Sequence, residues 1–365
     1  MRKMKFLVPA MIGFTVMVTG CAQGETKAET KAEAKQETKQ EAKKEKKQQE
    51  AQITKLQPLN ATTLQLTFSK PLSEEEVKLE NLEAIKKNFA FDNGLEIVNV
   101  PRLKTGATST YIVPVTVQKL GTKYKLSYKG GKKEKFEEST EKINVRQAKQ
   151  VTNDTFEIES FLEDGVTDYA NIIEAYKAGR GDQAFQLDEE NKDKEGKQYQ
   201  IISSLRDRKV MITSSSGEEI VAGYVPFTQA ADGRQAPKFR LPAGQTLQPG
   251  MTYTITSDWA TVKNPMFTAE TIAPLVIQSV EAIDNKSIQI ALENDPNMEL
   301  FAGRKVELQS EDGNKLEAQY RFSSRKGAVG IFDLQNGAML QSGKKYTVVP
   351  MNEWATANQV TFVAK

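Results

Sequence analysis

The sequence predicts an all-β chain. Three stretches share one spacing of apolar residues, each ends in strict alternation, and each is followed by the same tyrosine motif. The first stretch is Leu56, Leu59, Leu64 and Leu66. The second is Ala148, Val151, Phe156 and Ile158, and the third is Val280, Ile283, Ile288 and Ile290, with identical offsets. A spacing that recurs along a chain marks repeated structural units. The alternation in Leu64-Gln65-Leu66-Thr67-Phe68, Phe156-Glu157-Ile158 and Ile288-Gln289-Ile290-Ala291-Leu292 is that of half-buried strands. The polar runs before them, 60–63, 152–155 and 284–287, read as tight turns.

The later motif is Gly121-Thr122-Lys123-Tyr124, Gly250-Met251-Thr252-Tyr253 and Gly343-Lys344-Lys345-Tyr346. Leu247-Gln248-Pro249 and Leu340-Gln341-Ser342 precede the last two, whereas the first has Gln118 in place of Leu. This resembles the L-x-x-G-x-x-Y segment of immunoglobulin-like sandwiches. The resemblance implies that Tyr124, Tyr253 and Tyr346 are structural, with buried hydroxyls bonded back across a corner. Arg208-Lys209-Val210 matches Arg304-Lys305-Val306, and Trp259-Ala260-Thr261 matches Trp354-Ala355-Thr356. Trp259 and Trp354 are therefore repeat-equivalent and read as structural positions, not as a binding platform.

From strand to tyrosine is 60 positions in the first repeat and 58 in the third, but 97 in the second. The excess lies at 162–206. Expected boundaries are 52–147, 148–272 with the insertion 162–206, and 273–365, each an immunoglobulin-like β-sandwich. In the first repeat, Ser73 and Glu76 form a capping box for a helix over 73–88, and Asp92-Asn93-Gly94 reads as a hairpin turn before a strand at 95–100. Sandwiches vary their loops, so the insertion is the place where specificity is expected.

The N-terminus reads as a targeting segment. Arg2, Lys3 and Lys5 precede an apolar run of 13 residues, Phe6 to Val18, too short to span a bilayer. Val18-Thr19-Gly20-Cys21 follows, and Cys21 is the one cysteine of the chain. Residues 22–51 contain only Ala, Gln, Gly, Glu, Thr and Lys, with Glu and Lys each recurring every four positions from Glu25 to Glu45 and Lys27 to Lys47. No apolar stripe runs through them, so the stretch that follows Cys21 up to residue 51 reads as a disordered charged spacer. As a coil it would span about 30 Å.

The small residues before Cys21 resemble the lipobox of bacterial lipoproteins. The resemblance implies a signal peptide over 1–20, cleavage before Cys21, acylation of its thiol, and anchoring at the extracytoplasmic face of the cell membrane. Two or more acyl chains hold stably where one is marginal. With the sandwich repeats and spacer, the chain resembles Gram-positive surface lipoproteins carrying S-layer-type immunoglobulin-like domains.

Composition excludes much chemistry. The 365 residues include 0 His and 1 Cys, which removes His-based triads, Cys–His nucleophiles and ordinary zinc sites. Without residues 1–20 the chain has 47 basic and 48 acidic residues, no charge for nucleic acid. No metal, cofactor or catalytic residue is expected. Arg180-Gly181-Asp182 matches the integrin-binding triplet of animal matrix proteins, but it follows the apolar face of Tyr169, Ile172, Ile173 and Tyr176, where a glycine also ends a helix. The acidic run 188–195 lacks the EF-hand pattern, with Lys192 and Asp193 at its fifth and sixth positions. Lys104-Thr105-Gly106 precedes Ser323-Ser324-Arg325-Lys326, the reverse of the order in penicillin-recognising enzymes. The expectation is a non-catalytic surface protein for binding, adhesion or envelope organisation, with a cell-wall polymer or surface protein as partner. The alternatives are a solute-binding lipoprotein of a transporter, or a carboxylate-dependent cell-wall glycosidase.

Overall fold

The computed structural model describes residues 50–173, 178, 185–226, 234–296 and 301–365. Ala51–Lys365 forms one compact unit. Cys21, the signal segment, nearly all of the spacer, Tyr176 and Arg180–Asp182 lie outside the described residues.

The chain is all-β. In the first repeat β1 (Ile53–Asn60), β2 (Thr63–Phe68), a short helix α1 (Leu82–Asn88), β3 (Phe89–Phe91), β4 (Arg102–Leu103), β5 (Thr110–Pro114), β6 (Lys123–Tyr128) and β7 (Lys133–Glu137) follow in order. They make two sheets, β1-β2-β5-β4 and β3-β6-β7. Leu64, Leu66, Tyr111, Val113, Tyr124 and Leu126 fill the space between them. In the second repeat come β8 (Ile143–Gln150), β9 (Thr155–Phe161), β10 (Val166–Asp168), β11 (Gln200–Ile202), β12 (Lys209–Ser214), β13 (Glu219–Val225), β14 (Arg234–Gln235), β15 (Lys238–Arg240), β16 (Thr252–Thr256), β17 (Ala260–Asn264) and β18 (Met266–Thr268). The third repeat holds β19 (Leu275–Ala282), β20 (Ser287–Leu292), β21 (Lys305–Ser310), β22 (Lys315–Tyr320), β23 (Val329–Leu334), β24 (Lys345–Pro350), β25 (Ala355–Thr356) and β26 (Thr361–Val363).

The second and third repeats have one topology. The strand path β17-β8-β9-β15-β13-β12-β16-β18 corresponds member by member to β25-β19-β20-β23-β22-β21-β24-β26. Both carry the same parallel pair, β17 on β8 and β25 on β19, where the other pairs along each path are antiparallel. Each encloses its own core, around Phe156, Phe239 and Trp259 in one and Ile290, Phe332 and Trp354 in the other.

The repeated motifs make repeated contacts. The hydroxyls of Tyr124, Tyr253 and Tyr346 accept the backbone N–H of Lys119, Gln248 and Gln341 at 2.8, 2.9 and 3.1 Å, each five residues back. The preceding N–H, from Gln118, Leu247 or Leu340, binds the carbonyl of Ala61, Asn153 or Asn285 in the first turn. Gln118 is buried like the two leucines, and its amide binds the Asn60 carbonyl and the Ser139 N–H. The indole N–H groups of Trp259 and Trp354 donate to the carbonyls of Lys209 and Lys305.

Three local expectations are corrected. The helix expected from residue 73 starts at Leu82, because Lys78 is extended (φ −80°, ψ 133°) and separates two single 3-10 turns, Glu74–Glu76 and Leu79–Asn81. The Ser73–Glu76 capping contact exists, but Tyr128 and Lys129 also bind the Glu76 carboxylate and draw that turn onto β6. Asn93 and Gly94 make a positive-φ turn, yet only Ile97 of 95–100 is paired, through a single bridge to Val115. The strand opening the second repeat begins at Ile143, whose side chain lies in that repeat's core, so 143–147 belong to its sheet and not to the first repeat.

Candidate functional site

The insertion was expected to be an exposed, variable surface. Its described residues instead pack on the first repeat. Tyr169, Ile173, Leu187, Tyr199 and Ile201 form a small fourth core with Ile112 of β5, and Leu59 packs against it. The strands β10 and β11 pair in parallel at its base, and Val166 and Ile202 enter the core of the second repeat. One segment therefore contributes to two cores.

This covering explains the burial of β2. Its alternation predicts one wet face, but Thr63 and Gln65 are buried as fully as Leu64 and Leu66. Asn60 Nδ2 donates to the Ile201 carbonyl at 2.9 Å, Thr63 Oγ1 to Ser203 Oγ at 2.9 Å, and Gln65 Nε2 to the Glu189 carbonyl at 3.0 Å. Arg208 Nη2 donates to the Val115 carbonyl at 2.7 Å, so the repeat-equivalent arginine of the second repeat reaches into the first.

Lys104 is the centre of the seam. It is 3% exposed. Its ammonium donates to Gln65 Oε1 at 2.8 Å, Asn191 Oδ1 at 2.8 Å and the Asp188 carbonyl. The Glu189 carbonyl stands farther off at 3.5 Å, so three close acceptors meet three protons. Burial pulls its pKa down to about 8, against the opposing pull of Asp188 and Glu189. Next to it the Thr105 N–H donates to the Tyr169 hydroxyl at 2.7 Å. Lys104-Thr105-Gly106 is thus a joint. Ser323–Lys326 lies between β22 and β23 of the third repeat, where Ser324 Oγ donates to the Arg321 carbonyl.

Beside Lys104 opens a cleft of about 730 Å³ between 105–110 and 186–194. Most of its ions bind each other or the main chain, and Lys194, which also lines it, is exposed. The Asp188 carboxylate accepts the N–H groups of Glu190 and Lys192, and Asp193 accepts those of Glu195 and Lys197. Lys55 pairs with Glu189, and Lys192 with Glu190. The acidic run is therefore a pair of carboxylate-capped turns. No group of three or more His, Cys, Asp or Glu among the described residues could hold a metal ion.

A second joint links the second and third repeats. Arg304 binds Asp154 with both terminal nitrogens, at 2.5 and 2.9 Å. Arg240 donates to Thr155 Oγ1 at 3.1 Å and to the Ala302 carbonyl at 2.6 Å. Burial raises the Asp154 pKa, but the bonds from Arg304 outweigh it and hold the carboxyl well below the usual range. The matched arginines 208 and 304 were visible in the sequence as a repeat feature; their partners Val115 and Asp154 carried no signal of their own.

No protein-family model and no curated protein matches the chain. Among solved structures, the S-layer protein rSbsC(31-844) aligns over 90% of this chain and 56% of its own, at 10% identity and a TM-score of 0.18. The FN1–FN3 domains of chicken CNTN1 align over 86% of this chain and 99% of theirs, at 9% identity and a TM-score of 0.17. A pullulanase from Anoxybacillus sp. LM18-11 aligns over 57% and 24%, at 6% identity and a TM-score of 0.18. The chain thus spans about a quarter of that pullulanase and just over half of the S-layer protein. At such scores and identities none of them assigns a family, substrate or partner.

Proposed function

We propose that the chain is a lipid-anchored, non-catalytic protein of the cell surface, carried on Cys21 and a charged spacer, with three immunoglobulin-like domains for adhesion or envelope organisation. The observation that carries the non-catalytic reading is the Lys104 cleft. Lys104 and the Asp188 and Asp193 carboxylates that line it are bonded to neighbouring groups of the chain and close a joint, which supports a structural use of these residues. The anchor rests on the lone cysteine after a short apolar run. A cell-wall polymer or a surface protein is the proposed partner. A solute-binding lobe pair would need broad parallel sheets, but among the described residues the parallel pairs are the small two-stranded sheet β10–β11 and the edge contacts β17–β8 and β25–β19.

Membrane fractionation tests the anchor. Cys21→Ala is expected to leave the precursor uncut or to free the cut protein from the membrane; a cut Cys21→Ala protein that still partitions with the membrane would refute it. Incubation of the purified protein with cell-wall fragments tests the rest. Retention on the fragments without release of reducing ends is expected, and steady release of reducing ends would make it a glycosidase.

A further inference from the structure

The two joints use different chemistry. The first is closed by an apolar core as well as by hydrogen bonds. At the second, the hydrogen bonds described centre on three charged side chains, Asp154, Arg240 and Arg304. Gly303 (φ +72°) lies so close that a Cβ there would stand 3.3 Å from Arg240 Nη1. Residues 269–274 between the repeats form no strand, and Glu270, Thr271, Ala273 and Pro274 are exposed. Gln150 holds this linker through the N–H and carbonyl of Glu270.

We infer that the second joint is an ionic latch: Asp154 holds the third repeat against the second, and loss of its charge lets the third repeat swing on residues 270–274 while the first joint stays closed. One carboxylate faces two guanidinium groups. Arg240 Nη2 is buried without a hydrogen-bond partner among the described residues. Removing the acid leaves two cations confined together, and breaking a buried pair costs far more than the pair adds. Mild acid does not open the latch. A carboxyl held below its ordinary pKa contributes stability that is fully present above about pH 4 and is lost only as pH falls through the depressed folded value.

Hydrogen exchange of the full mature protein in detergent tests this. In Asp154→Asn, amides over 150–156, 238–243 and 301–305 are expected to exchange at least tenfold faster, with 59–66, 104–112 and 199–203 unchanged. Asp154→Glu should retain most of the protection. Unchanged exchange at the second joint, or equal loss at both joints, would overturn the latch. If Asp154→Asn instead unprotects the core strands β12 and β16, Arg304→Gln decides. It must open the same joint from the other side, and a closed joint in that variant would end the proposal.

Discussion

The Lys104 ammonium and the Asn191 side-chain oxygen lie 2.8 Å apart although 87 positions separate them in the chain. One belongs to the first repeat and the other to the insertion of the second. That bond, with its two companions on Gln65 and Asp188, turns a segment that looks like surface decoration into a clamp.

Replacing the lysine should loosen the clamp. Lys104→Met removes the donor and leaves the Gln65, Asp188 and Asn191 oxygens without it. A buried bond to a charged group contributes about 1.5–3 kcal/mol, and stranded acceptors add to the loss. A fall of about 2–3 kcal/mol in urea unfolding is expected. A change below about 0.5 kcal/mol, the size of an ordinary surface substitution, would mean the seam is indifferent to this residue.

The same lysine gives a pH signature. Its folded pKa of about 8 lies below the unfolded value of about 10.4. Between those values the unfolded chain binds more protons, so this group makes stability rise with pH across that window. Comparing wild type with Lys104→Met from pH 7 to 10 isolates it. A flat difference between the two would contradict the burial of the charge.

The three tyrosine corners should respond alike. Tyr124→Phe, Tyr253→Phe and Tyr346→Phe each remove the acceptor of a backbone N–H. Each should cost about 1 kcal/mol. No measurable loss at all three would show that water replaces the hydroxyl.

The insertion should not be dispensable. Tyr169 is fully buried and meets both Ile112 and the Thr105 N–H. Tyr169→Ala is expected to cost about 3 kcal/mol or more, the range for truncating a buried aromatic. Exchanging 165–205 for a Gly/Ser linker would remove Val166, Ile202 and Leu205 from the second core as well. That exchange should therefore unfold the second repeat, contrary to what a loop of independent function predicts. Unaltered melting would return the insertion to the surface.

What the sequence made legible was local. Alternation marked β2, β9 and β20, and polar runs marked the turns before them. Equal offsets tied the repeats together, and excess length located the insertion. The burial of Gln65, Thr63 and Glu157 was not legible, because a polar residue at an alternating position reads as solvent-facing whenever nothing covers it. Here another part of the chain does, or, for Glu157, the buried Lys238 stands 3.1 Å away. Tyr169, Ile172 and Ile173 were readable as an apolar face, but a face does not state what it will cover. Lys104 appeared only within a motif of penicillin-recognising enzymes, and its burial depends on contacts across the seam that no local pattern encodes.

Scanning calorimetry of the full-length protein tests the clamp most directly. The first and second repeats should unfold in one cooperative transition, because one segment completes both cores. In the double variant Lys104→Met/Tyr169→Ala that transition should split in two. Separate transitions for the two repeats in the unmodified protein would contradict the account.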